Sequence, residues 1–138
     1  MARKPKALVL DSWAVLAYLE DENSSQKVAD LIADAHEHEI PLLMSVVNAG
    51  EVWYILAREV SETEADKGVE GLRQLGIDFI GVDWKLARQA GMFKSKNRMS
   101  FADCFAAALA KEQKAELVTG DKEFKQVESD IRIRWLEA

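Results

Sequence analysis

The chain has one cysteine, two histidines and two prolines among 138 residues, and these scarcities close several routes. Cys104 has no partner for an internal disulfide and sits in an apolar run. It reads as a buried thiol in a reducing cytoplasm, and a thiolate zinc site is excluded. His36 and His38 lie together at a polar helix end, which leaves no serine or cysteine triad to assemble. The start MARKPKALVLDSW is basic, but Asp11 interrupts its apolar run too soon for a signal peptide or a membrane span, so a cytoplasmic location is expected. Low-complexity tracts, linkers rich in Pro, Gly or Ser, internal repeats and glycine-rich phosphate loops are all missing. With 49% hydrophobic residues, a single domain over residues 1–138 is expected, burying roughly two thirds of its unfolded surface.

Positive charge is also short, with 18 Lys and Arg against 24 Asp and Glu, a formal net charge of −6. That sum argues against a nucleic-acid partner, but the distribution matters more. Between Trp84 and Ala102 stand Lys85, Arg88, Lys94, Lys96 and Arg98 with no acid among them. This is either a solvated helix face or a polyanion contact.

What is present is alternation. Short β-rich runs, KALVL (Lys6 to Leu10), PLLM (Pro41 to Met44), DFIGV (Asp78 to Val82), ELVTG (Glu116 to Gly120) and IRIRW (Ile131 to Trp135), are separated by segments of helical periodicity. Helix starts are expected at Ser24 or Ser25, Ser45, Thr63 and Ser100, and Gly76 is expected to stop one helix. Such alternation predicts an α/β fold: three layers, αβα, with a mostly parallel five-stranded sheet flanked by helices. In such sheets ligands sit at the edge where strands end, so acids that follow strands or open helices point there.

Four acids meet that description. Asp11 follows ALVL, Glu51 lies in the helix after PLLM, Asp103 is the sole charge in FADCFAAALA, and Asp121 follows ELVTG. Each has a local explanation. Asp11 and Asp121 can cap helices, Glu51 can be solvated, and Ser100 with Asp103 matches a capping box. Jointly they are harder to explain, because clustered carboxylates repel unless a cation compensates them, and oxygen donors suit Mg²⁺ or Mn²⁺. An open site of that kind suits metal-assisted attack of water on a phosphodiester. Asn48, one turn before Glu51, is placed to orient it or a water. Other α/β chemistries fail on particular residues: Asp11-Ser12-Trp13 lacks the second aspartate of a haloacid-dehalogenase-type phosphatase, and PLLMS lacks a receiver-domain acceptor.

Together VLDSWAVLAYL, SVVNAGEVWYIL, SFADCFAAALA and LVTGDKEF, in this order, resemble the PIN domain, specifically the VapC-type toxin ribonucleases of bacterial toxin–antitoxin pairs. The resemblance covers essentially the whole chain. It implies a Mg²⁺- or Mn²⁺-dependent endoribonuclease acting on single-stranded RNA, a homodimer, and a cognate antitoxin. Carried over residue by residue, it makes Asp11, Glu51 and Asp103 the main metal ligands and Asp121 the fourth, with Ser12 and Thr119 orienting ligands or water. Glu123 competes with Asp121 for the outer position, and Trp13 replaces a residue that is small or hydroxylated in many relatives. An RNA-binding or RNA-processing module without a toxin role is the alternative. Lys94, Lys96 and Arg98, preceding the helix of Asp103, are the expected RNA-binding residues at the crevice rim. Trp53 and Tyr54, beside the core face of their helix, are expected to bring at least one aromatic to an interface.

Overall fold

The computed structural model describes residues 4–20 and 23–136. Five short strands, β1 (Leu8–Leu10), β2 (Leu42–Ser45), β3 (Ile77–Ile80), β4 (Glu116–Thr119) and β5 (Arg132–Trp135), form one sheet in the order β3-β2-β1-β4-β5. All four pairings are parallel. Each strand therefore ends on the same edge, and β1 is the centre from which chain order departs in both directions.

Period-2 alternation divides the core between the two sheet faces. Val9, Leu43 and Leu117 face α5 (Trp84–Lys96) and α6 (Phe101–Gln113). Leu8, Leu10, Leu42, Met44 and Val118 face α1 (Ser12–Leu19), α2 (Ser25–Glu37), α3 (Val46–Glu59) and α4 (Glu62–Gln74). Helix α6 is buried from Cys104 through Ala110, which explains why its sequence is apolar all round. Small side chains let it lie close to the sheet.

The caps are mostly where the sequence places them. Ser45 accepts the Val47 N–H and Ser100 accepts the Asp103 N–H, both at 3.1 Å. Ser24 occupies the cap position of α2 without a side-chain capping bond. The start of α4 differs from expectation: Ser61, not Thr63, accepts the Glu64 N–H at 3.1 Å, because Ser61-Glu62-Thr63-Glu64 is the better capping box. Strand β3 also begins earlier than DFIGV, and Gly81 and Val82 lie beyond it. Gly76 ends α4 as expected. Its φ of +87° suits glycine alone, and a Cβ there would lie 2.7 Å from the His36 ring. No helix among the described residues is long and apolar enough to cross a membrane.

Candidate metal centre

Asp11 leaves β1 and caps α1, so local geometry fixes its carboxylate before any other contact does. One oxygen accepts the Ala14 N–H at 2.8 Å, and the other accepts the Thr119 hydroxyl. Thr119 ends β4, which pairs directly with β1, so the two side chains emerge side by side. The same hydroxyl oxygen accepts the Asp121 N–H at 3.0 Å. Thr119 thereby ties the turn carrying Asp121 to Asp11. Asp121 in turn accepts the Glu123 N–H at 2.9 Å and caps the 3-10 helix Lys122–Val127, a tighter element than the α-helical start its sequence suggests.

Asp103 stands in the first turn of α6. Its N–H is held by Ser100, but the return bond of a capping box, from the Ser100 N–H to the Asp103 carboxylate, is not made among the described residues. The Asp103 carboxylate meets the Ser100 hydroxyl and also lies among the other acids. Oxygens of Asp103, Asp121 and Glu123 lie within 4.8 Å of one another, so Glu123 accompanies Asp121 instead of excluding it. Glu51, half-buried in the second turn of α3, is near enough for its charge to act on Asp103.

The electrostatics follow from this crowding. Asp11 is 1% exposed, and burial pushes its pKa up to about 8 against the opposing Thr119 and Ala14 hydrogen bonds, with Asp103 and Asp121 adding repulsion. Burial also raises Asp103 to about 7, reinforced by Asp121, Glu51 and Glu123 and eased by Ser100. Among the described residues none of these five carboxylates is paired with Lys, Arg or His.

Asn48 joins three of the helices. Its amide N–H₂ donates to Ser12 Oγ at 3.3 Å and to the Ala102 carbonyl at 3.1 Å, while Ser12 Oγ donates to the Asn48 backbone carbonyl at 3.3 Å. Two acceptors fix the amide's orientation, and its Oδ1 is left buried without a partner beside the acids' helices. Crowded hard oxygens, raised carboxylate pKa values and an orphaned acceptor fit a divalent ion such as Mg²⁺ or Mn²⁺.

The walls are less legible from sequence. Trp13 lies over Gly120: a Cβ there would meet the indole at 2.3 Å. Phe101, 50% exposed and edge-on to Phe105, stands two residues before Asp103. Its only sequence signal is an aromatic at the solvent-facing start of an otherwise buried helix. The basic segment splits. Lys94 Nζ donates to the Met99 carbonyl at 2.6 Å near the start of α6, and the Arg98 backbone is held by Gln126 at 2.8 and 3.1 Å. Lys96 instead lines a cavity of about 150 Å³ with Lys111 and Asp130, towards the opposite end of α6 from Asp103. The expectation that all three overhang the acids fails for Lys96, because α5 crosses α6 and brings Phe93 to Lys111. Trp53 is half-buried, its indole N–H donating to Asp66 at 2.8 Å, and Tyr54, 45% exposed, is the aromatic of the pair that reaches the surface as expected.

A parallel α/β sheet with an acid cluster at its carboxyl edge delimits a class of proteins, and comparison with known families narrows it. The model of the PIN domain matches residues 8–129, and the chain belongs to that family. A search of curated proteins finds no significant sequence match. Solved structures share the fold at low identity. One is VapBC2 from Rickettsia felis bound to a DNA fragment from its promoter, 14% identical over 95% of this chain and 99% of that one, with a TM-score of 0.76. Another is Mycobacterium tuberculosis VapC20, a sarcin-ricin loop cleaving toxin, 19% identical over 88% and 95%, with a TM-score of 0.68. A third is FitAcB from Neisseria gonorrhoeae, 18% identical over 91% and 95%, with a TM-score of 0.67.

Proposed function

We propose that residues 1–138 form a single PIN domain acting as a divalent-metal-dependent endoribonuclease, the toxin of a toxin–antitoxin pair. The observation that carries this reading is the convergence of Asp11, Glu51, Asp103 and Asp121 on one sheet edge, with no cationic side chain among the described residues paired to them. Such crowding is costly for a bare protein and useful for one that binds a cation. Asp11, Glu51 and Asp103 would hold Mg²⁺ or Mn²⁺, with Asp121 and Glu123 on the outer side. The ion supplies activation of water and neutralisation of charge at the scissile phosphodiester.

The chain's own residues set the geometry. Thr119 locks the Asp11 carboxylate and the Asp121 turn together, and Ser12 with Asn48 holds α1 against α3 and α6. Phe101, exposed at the start of α6, offers an aromatic face for an unpaired base of a bound strand, as single-strand binders do. Lys94, which is bonded to the Met99 carbonyl near the start of α6, and Arg98 next to Met99 would contact flanking phosphates. A cognate antitoxin, a homodimer and a cytoplasmic setting complete the reading; neighbours of the same fold include a toxin–antitoxin complex from Klebsiella pneumoniae.

The test is cleavage of single-stranded RNA by wild type and Asp103→Asn, with Mg²⁺, with Mn²⁺ and with a chelator. Cleavage is expected with metal in the wild type and nowhere else. Retained cleavage in Asp103→Asn or in chelator would sink the proposal.

A further inference from the structure

The five strands begin on the edge opposite the acids, and there the charge reverses. Lys6 precedes β1, Arg132 opens β5, and Lys111 and Lys114 close α6; with Lys4 they surround a cavity of about 420 Å³. Pro5, Ala110, Ala115 and Ile131 supply its apolar walls. Two acids share the lining, but Glu116 is already engaged by Arg134 at 2.8 Å, which leaves Asp130. None of the five cations is ion-paired among the described residues. Five unpaired cations around one concavity are conspicuous in a chain of net charge −6. Lys114 also holds φ at 52°, a left-handed conformation that glycine or asparagine adopts more cheaply, so the position carries a cation at a backbone cost.

This cavity is connected to the acid site by charge. Lys111 and Asp130 line both it and the smaller cavity that holds Lys96, and Lys94 lies beyond, against Met99. From Asp11 back to Lys6 is roughly 16 Å of extended chain, and from Asp103 to Lys111 about 12 Å of helix rise. A stacked strand covers 16 Å with about five phosphates. A cation trail of that length matches a polyanion better than a small anion.

We propose that the cavity at the start of the strands is a second anchoring site for the RNA phosphodiester backbone, engaging substrate about five nucleotides or more from the scissile bond. The inference rests on RNA as the substrate and deepens it: the enzyme favours longer strands over short ones.

The test separates this from cleavage by measuring affinity in chelator, over a range of salt, for single-stranded RNAs of about 20 and about 4 nucleotides. The variant is Lys6→Ala/Lys114→Ala/Arg132→Ala. A control removes as much charge from the α3–α4 face, Arg58→Ala/Lys67→Ala/Arg73→Ala. The cavity variant is expected to lose about 2 from the log–log salt slope for the long RNA, at about 0.7 per contact, and roughly tenfold in low-salt affinity. The ratio of long-to-short affinity should fall by a similar factor, and the control should keep most of its slope. An unchanged slope, or an equal loss in the control, overturns the proposal. So does polyglutamate competing as well as RNA of equal charge, which would assign the cavity to an acidic protein segment. If the expected slope change appears while wild type with metal cuts no RNA, the nuclease reading fails and the anchoring site stands.

Discussion

Asp11 makes stability a reporter of the metal site. Burial holds its folded pKa at about 8 against 3.8 for the free side chain, so the native state keeps a proton that the unfolded chain releases. For a raised carboxyl the sign is clear: without metal, stability is complete below about pH 4 and drains away as pH climbs towards 8. The full penalty is on the order of 5 kcal/mol, from about 4 pH units at 1.36 kcal/mol each. A divalent ion that binds the ionised form competes with protons on both Asp11 and Asp103. Below about pH 7 its apparent affinity should fall by up to about 100-fold per pH unit, or about 2.7 kcal/mol of linked stability. Thermal melts at pH 5, 6, 7 and 8, with Mg²⁺, with Mn²⁺ and in chelator, should therefore show a metal-dependent Tm gain that grows with pH. In Asp11→Asn the amide oxygen keeps the Ala14 bond without carrying charge, and the amide N–H₂ takes the place of the second oxygen, so the Thr119 hydroxyl turns from donor to acceptor. That variant should melt higher than wild type at pH 8 in chelator and lose most of the metal gain. A metal shift independent of pH, or an Asp11→Asn variant less stable than wild type at pH 8 in chelator, would refute the reasoning.

Thr119→Val keeps the β-branched shape but removes the hydroxyl that joins Asp11 to the Asp121 turn. Melting should drop by about 1–3 kcal/mol and cleavage should fall more steeply than RNA affinity, a split that steady-state kinetics reads directly. Gly120→Ala drives a Cβ into the Trp13 ring and should cost about 1–3 kcal/mol, part of which Trp13→Ala should return in a double-mutant cycle. With Trp53 held to Asp66, Tyr54 and Trp84, 45% and 76% exposed, are aromatics away from the acids that are open to self-association. Sedimentation should show a dimer at roughly tens of micromolar, and a monomer there would count against the homodimer.

The sheet was legible because its strands are bounded runs of Val, Leu and Ile and its helices carry polar caps, signals that act over a few residues. The direction of Asp11, Asp103 and Asp121 was legible for the same reason: each follows an element whose polarity is set once the sheet is parallel. Features that depend on packing were not. Ser61 outcompetes Thr63 only through its partner Glu64, the half-buried Trp53 is tied to Asp66 on another helix so that Tyr54 is the aromatic of the pair that reaches the surface, and Lys96 is carried away from the acids by the crossing of α5 over α6. The orphaned Oδ1 of Asn48 exists because Ser12 and Ala102, from two other helices, occupy the amide's nitrogen. No local pattern encodes that.

Asp121 shows why a cap and a ligand are hard to tell apart, since the carboxylate that caps by accepting the Glu123 N–H also has an oxygen within 4.8 Å of one from Asp103. Serine caps a helix start about as well as aspartate but brings no charge, so substitution can divide the two roles. Asp121→Ala should lose about 1 kcal/mol of stability in chelator; Asp121→Ser should lose little of it. Both should lose part of the metal-dependent Tm gain and most of the cleavage, because both remove the same carboxylate. Glu123→Gln measures the neighbour separately, and a smaller loss there than in Asp121→Ser is expected, since Glu123 is the more exposed. If Asp121→Ser keeps the full metal shift and full cleavage, Asp121 is a cap alone, and the outer position of the site passes to Glu123.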